Sequence, residues 1–432
     1  MDKDTINDIA ELISAKMEQI YNTAVTMANL RLLNHYKDKP TEWAKKQRNE
    51  IGALKRDVNT LVKKEVKPLF STIEKALLLA YALTRSNSKN KALNDEELAN
   101  IRVELKEQKN ENFDRQLKAL QMESVKTLNK LPSTIEQMQK KNIIQVGSKY
   151  SIMKEPDVNK FYNEIVEQGK NGLQNAPPVI YRNGRKMPLI SYVDMKNRTM
   201  LQEYTNKAQT EAGRNAGLIF WLVSSFGDSA KDHVDYQGKI YIDRDWESMV
   251  DEETRKQVQD YISANGTRIK QDVEEGEPYL TTRPNCRHRW MPMNTEEVLG
   301  GKSTNTMLKE NDMLLNGKYE QDKANARDKL RYEERLIRKY KLQAEETNIR
   351  IDKTPVGELR EEEKKKLQQI NANIKVHQRK ARELVKDNST FLEREYTREN
   401  PRLIKSDLGY KYYSKYYKVW NLQFLSHFKI YY

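Results

Sequence analysis

His233, Cys286 and His288 are the residues of this chain best suited to chemistry, and Asp228 and Asp232 lie close enough in sequence to join them. Two imidazoles, a thiol and a carboxylate make a donor set that zinc accepts. The Cys-x-His spacing is tighter than structural zinc sites usually use, however, and the chain holds no second cysteine. Cys286 acting as a nucleophile needs a base brought to it by the fold, and its flanking sequence supplies none. A third reading starts from DHV at 232–234, a following glycine, and Asn285 beside His288, letters that suggest an HNH-type, metal-dependent nuclease. In that motif one His activates water while the Asn and the second His fasten a compact ββ-metal turn. Here a whole predicted helix separates His233 from Asn285, an insertion that such a finger does not accommodate.

The expectation is therefore a structural cluster with no catalytic residue, cofactor or metal. A buried Asn, Arg and His beside a chain reversal can satisfy loop carbonyls and amides that are costly to bury alone. Cys286 to His288 is expected to pin the end of its domain onto an apolar strand, with Arg287 bridging carbonyls of the His233 loop.

The elements that must position these residues lie between Leu218 and Met293, a stretch with three of the five Trp and the single Cys. LIFWLVSS is short and has no polar face, so it reads as a buried strand. GKIYID is a second strand, opened by a glycine that turns the backbone into it. Upstream, PPVIYRNGRKMPLI reads as a β-hairpin turning at Asn183-Gly184. A helix runs from about Asp194 to a stop at Gly217, and another covers 247–264 with its stop near Gly266. This order predicts a small α+β domain with a mostly antiparallel sheet over 177–300, flanked by long helical arms, so that the chain is predominantly helical overall.

In the N-terminal arm, 1–150, Ile6, Ile9, Ile13, Met17, Ile20, Ala24 and Met27 make a narrow apolar helical stripe. A second stripe holds Ile51, Leu54, Val58, Leu61 and Leu69, with a kink or break expected at Pro68. The run 76–83 reads as a separate, well-buried helix, 86–97 as a polar connector with a cap at Asn94 or Asp95, and LPS at 131–133 as a helix end. These stripes are expected to pack on one another rather than on a second chain. Residues 151–176 form a connecting helix or linker. Over 301–400, two stripes (Ala326, Leu330, Glu333, Ile337, Tyr340, Ala344, then Leu367, Ile370, Ile374, His377, Ala381, Leu384) flank the turn signal DKTPVGE and predict an αα-hairpin. His377 is read as a seam residue. The tail, 401–432, interleaves Lys with Tyr, Trp and Phe, which suits docking on another protein or gripping nucleic acid.

Only 37% of the chain is hydrophobic and 32% is charged, a balance that suits extended helices burying narrow seams better than one large globule. The net charge of +14, carried mostly beyond residue 302, makes an anionic partner plausible. A single cysteine excludes a disulfide framework. The opening MDKDTINDIA lacks a secretory apolar core, and ALLLAYAL is too short to span a bilayer. No membrane and no small-molecule substrate are expected.

SSFGDSAKDHVDYQGKIY followed by PNCRHRWMPM resembles the phage minor capsid protein 2 family, akin to the Mu F-type head morphogenesis proteins. Ser224, Ser225, His233, Gln237, Gly238, Asn285, Cys286, Arg287 and His288 stand at the matching positions, with Arg198-Thr199 on the preceding helix. Tyr236 departs from the Trp of the pattern but keeps an aromatic ring there. YEQDKANARDKLRYEERLIRKYKLQAEE is similar to the family's charged C-terminal helix, so the resemblance runs over roughly 177–395. It implies a non-enzymatic component of a tailed-phage head, assembled in the bacterial cytoplasm and present in few copies near the portal. Its implied partners are portal and capsid proteins, with phage DNA a candidate for the basic C-terminal arm. Two rivals stand beside it: a metal-dependent nuclease centred on His233 and His288, and a basic helical DNA-binding scaffold.

Overall fold

The computed structural model describes residues 5–404, apart from 86–94, 108–109, 151–156, 175–178, 181–185, 188, 284–285, 316, 355 and 395. The first apolar stripe forms α1 (Thr5–Leu32), and the second forms α2 (Pro40–Arg85). The two pack along one another, with Ile13, Ile20 and Ala24 facing Leu54, Val58 and Leu61 in a shared buried core. Residues at the start of α2 close the end of α1. Trp43 Nε1 donates to the Leu32 carbonyl at 3.0 Å and Gln47 Nε2 to the Asn34 carbonyl at 2.8 Å, satisfying acceptors that a helix end leaves open.

Two expectations fail here. Pro68 does not break α2, which runs on to Arg85, so the 76–83 run is the C-terminal part of one long helix. A proline removes a single amide donor, and the burial of Leu69, Ile73, Ala76 and Leu77 on the same face outweighs that loss. The 131–133 segment begins a helix rather than ending one. After α3 (Asp95–Glu107) and α4 (Glu111–Leu128), α5 (Leu131–Tyr150) carries Pro132 in its first turn, where the missing amide has no helical acceptor to lose. The expected 86–97 connector lies largely outside the described residues.

Beyond α6 (Val158–Gln174), β1 (Val179–Ile180) and β2 (Lys186–Met187) pair antiparallel as a small sheet of their own. The hairpin is thus formed, while its Asn183-Gly184 turn lies outside the described residues. Helix α7 (Leu189–Asn215) follows. It buries Leu201 and Tyr204 in the core of α1 and α2 and packs its C-terminal half on the central sheet.

That sheet has the order β6-β5-β3-β7. β3 (Phe220–Val223) lies between β5 (Ile240–Ile242) and β7 (Trp290–Met293), antiparallel to both, and β6 (Arg268–Ile269) joins β5 in parallel. A short β4 (Ser225–Phe226) leaves β3 to pair in parallel with β8 (Leu314–Leu315). The predominantly helical α+β class is as expected. Helix α8 (Glu252–Asn265) starts later than the predicted 247, because Asp251 caps it through Thr254 N–H at 2.8 Å. α9 (Lys270–Glu275), α10 (Thr295–Leu299) and α11 (Thr304–Glu310) are short.

The C-terminal arm is the expected αα-hairpin of α12 (Gln321–Lys353) and α13 (Glu358–Asp387). Ala326, Leu330, Ile337 and Ala381 form its seam. The charged interruption at Glu333 meets His377 Nδ1 at 2.6 Å, and the His377 ring stacks on Tyr340. After α13 the chain returns to α1.

Candidate functional site

Two of the antiparallel strands deliver the site. A single 3₁₀ turn, Lys231–His233, precedes β5, and the Cys286–His288 segment leads into β7. Since β5 and β7 both flank β3, the two segments meet over one end of that strand. There His233 Nδ1 stands 3.3 Å from His288 Nδ1, and Cys286 Sγ lies 3.4 Å from His288 Nδ1 and 3.8 Å from His233 Nδ1. Both histidines are 2% exposed, so neither ring is free to turn into solvent. In an HNH finger the strands bearing the motif pair with each other; here β3 separates them.

Gln237 fixes this geometry. Its Oε1 accepts from Phe226 N–H at 2.9 Å, and its Nε2 donates to the Phe226 carbonyl at 3.1 Å, a pair of hydrogen bonds that sets which end of the amide is which. The same Oε1 lies 3.1 Å from His288 Nε2. Ser224 Oγ accepts from Arg289 N–H at 2.9 Å, and Ser224 N–H donates to the Arg289 carbonyl at 3.0 Å. Ser225 packs beneath Gly238, whose φ of 68° is a conformation that side-chain-bearing residues rarely adopt. Tyr236 is half-buried, carries the Arg268 guanidinium over its ring, and accepts a 2.7 Å bond from Tyr241 at its carbonyl. Asn285 lies outside the described residues.

Arg287 pairs with the buried Asp228 carboxylate, Nη2 to Oδ1 at 2.7 Å, and lies over the Phe226 ring, contacts that sequence reasoning did not anticipate. A full charge buried at Asp228 is a stronger attractor than neutral carbonyls. Arg327 of α12 reaches the other oxygen of Asp228 at 2.8 Å, so one carboxylate joins the central domain to the C-terminal arm. Asp232, at the surface, pairs with Arg283.

Burial first, then the adjacent His233 and Arg287, holds the His288 pKa well below the usual imidazole value. Burial also lowers His233, against a backbone hydrogen bond with Pro278. The Cys286 thiol is pushed up by burial, opposed by the His288 and Thr281 amides and by Arg287 and Arg283. At neutral pH the cluster is two neutral imidazoles and a thiol.

Sequence reasoning missed the residues that hold this cluster from outside. Gln202 of α7 donates to the His288 carbonyl at 2.5 Å, and Asn206 Oδ1 accepts from Trp290 N–H at 3.2 Å. Lys270 is buried between the Trp221 and Trp290 rings, 5.2 and 5.1 Å from their centroids, and pairs with Glu274 at 2.7 Å. Glu274 in turn accepts from Thr281, which also accepts from Trp290 Nε1 at 3.1 Å. The available signal was two polar residues, Gln202 and Asn206, one helical turn apart on a face of α7 other than the one that bears Leu201 and Tyr204.

Along the chain, a small strand module lies between long helical arms. The chain is a phage minor capsid protein. It belongs to the family described as phage minor capsid protein 2, which matches residues 10–386. The match takes in nearly all of the N-terminal arm, beyond the 177–395 over which the motifs resemble that family. No curated protein and no solved structure gives a significant match to the chain.

Proposed function

We propose that this protein works in the head of a tailed phage, in few copies beside the portal, and assists head assembly or the packaging and delivery of DNA. The observation that carries the reading is the family match, which embraces both helical arms and the module between them. The arms are the surfaces for portal and capsid proteins, and the basic excess beyond residue 302 suits a contact with phage DNA. The role requires no catalytic step and no small-molecule substrate. Among the described residues no helix is long and apolar enough to cross a membrane, and none is needed for a virion component assembled in the host cytoplasm.

Quantitative protein analysis of purified particles tests this reading. Recovery with the portal, far below the level of the major capsid protein, supports it; recovery only in the soluble lysate overturns it. Binding to duplex DNA that falls steeply between low and physiological salt supports the contact of the C-terminal arm.

A further inference from the structure

We propose that His233, Cys286 and His288 together bind a zinc ion, which staples the His233 turn to the entry of β7. The three donor atoms lie within 4.8 Å of one another. Tetrahedral zinc with Zn–N near 2.05 Å and Zn–S near 2.3 Å places its nitrogens about 3.3 Å apart and each nitrogen about 3.6 Å from the sulfur. The observed separations are 3.3 Å for the nitrogens and 3.4 and 3.8 Å to the sulfur. Three donors thus converge on one point at the spacing of a metal coordination shell.

The surroundings set the donors up for a cation. Because Phe226 fixes the Gln237 amide, its Oε1 faces His288 Nε2 and requires a proton there. A neutral His288 ring then keeps its lone pair on Nδ1, aimed at His233 and Cys286. Such an outer hydrogen bond is how proteins orient a metal-bound imidazole. Thr281 N–H donates to Cys286 Sγ at 3.2 Å, a contact that favours thiolate. On binding, Cys286 releases its S–H proton to solvent, and both rings remain neutral with their protons on Nε2.

The nearest carboxylates do not complete the shell, since Asp228 is held by Arg287 and Arg327 and Asp232 by Arg283. The fourth position is filled from outside the triad. A metal-free clamp would use the same contacts as hydrogen bonds, with His233 or Cys286 donating to His288 Nδ1, and metal uptake is what separates the two.

The test uses untagged full-length protein, stripped of metal and titrated with Co²⁺ as a spectroscopic probe. Uptake of a single cobalt per chain is expected, with the strong visible bands of a tetrahedral site and a near-ultraviolet thiolate charge-transfer band. Zinc should displace the cobalt and raise the melting temperature. Cys286→Ser should abolish the charge-transfer band, whereas His35→Ala, at an exposed histidine beside Glu50, should change nothing. No stoichiometric uptake by the wild type, or uptake without a thiolate band, overturns the proposal. The wild-type titration decides the matter even if the variants misfold, and it is independent of where the protein resides in the particle.

Discussion

Arg402 and Glu18 lie 384 positions apart and meet in a buried ion pair, Nη1 to Oε2 at 2.6 Å. Arg402 also pairs with Glu11, Asn22 Nδ2 donates to its carbonyl, and Thr23 Oγ1 accepts from Ile404 N–H. The segment after the αα-hairpin is thereby fastened to α1. Arg402→Ala leaves Glu11 and Glu18 to their longer contacts with Arg198 and Arg338, and a loss of about 1–3 kcal/mol is expected. Hydrogen exchange should show faster opening of both α1 and the 396–404 segment, although the substitution touches only one of them.

Asp228→Asn should separate the two arginines it holds. With the buried charge that both arginines share removed, thermal melting should fall by the equivalent of about 3 kcal/mol. The αα-hairpin should exchange faster than the central sheet, since Arg327 is the α12 side of the junction. Equal loosening throughout the chain would contradict this.

Gly213 marks where α7 approaches the sheet most closely. A Cβ there would come within 2.6 Å of Trp221 Cη2 and 2.8 Å of Pro292 Cβ. Gly213→Ala should cost about 1–3 kcal/mol through overpacking. Gly52→Ala is the control of opposite sign: it sits exposed within α2, where a methyl meets only Arg56 at 3.7 Å. A gain of about 0.5–1 kcal/mol is expected there.

Acid stability should depend on Asp243, which is fully buried and paired with Arg214 through two bonds of 2.6 and 2.7 Å. Burial opposes its ionisation, but Arg214 and the Asp245 amide prevail and hold its pKa below the ordinary aspartate value. A depressed folded-state pKa adds stability that is complete above the unfolded value of about 3.9 and is lost as the pH falls through the folded one. Melting measured from pH 5 downward should therefore decline in the wild type. Asp243→Asn should be weaker at pH 5 and flatter below it.

The helices could be read from apolar spacing because each buries one continuous face, and β3 and β5 from unbroken apolar runs because both of their faces are buried. Ile13, Ile20 and Leu54 needed no partner sequence to announce themselves. What spacing cannot convey is which separate segments share a charge. Asp228 looked like a loop carboxylate near His233, and only the fold brings Arg327 to it from 99 positions away. Short strands such as β6 and β8 hold two residues each, too few for a period to show. The Ser224-to-His288 motif was visible as letters, yet Gln202 and Asn206 were not. Their function is to hold backbone atoms, which leave no mark in the sequence.

Helix α7 has a mechanical consequence. Its 27 residues extend about 40 Å, with one stretch embedded among α1 and α2 and another pressed on β3 and β7. Such a rod cannot rotate or slide at one end without shearing the packing at the other. A load applied to the N-terminal bundle therefore arrives, undamped by any flexible joint along this helix, at the strand that His288 leads into.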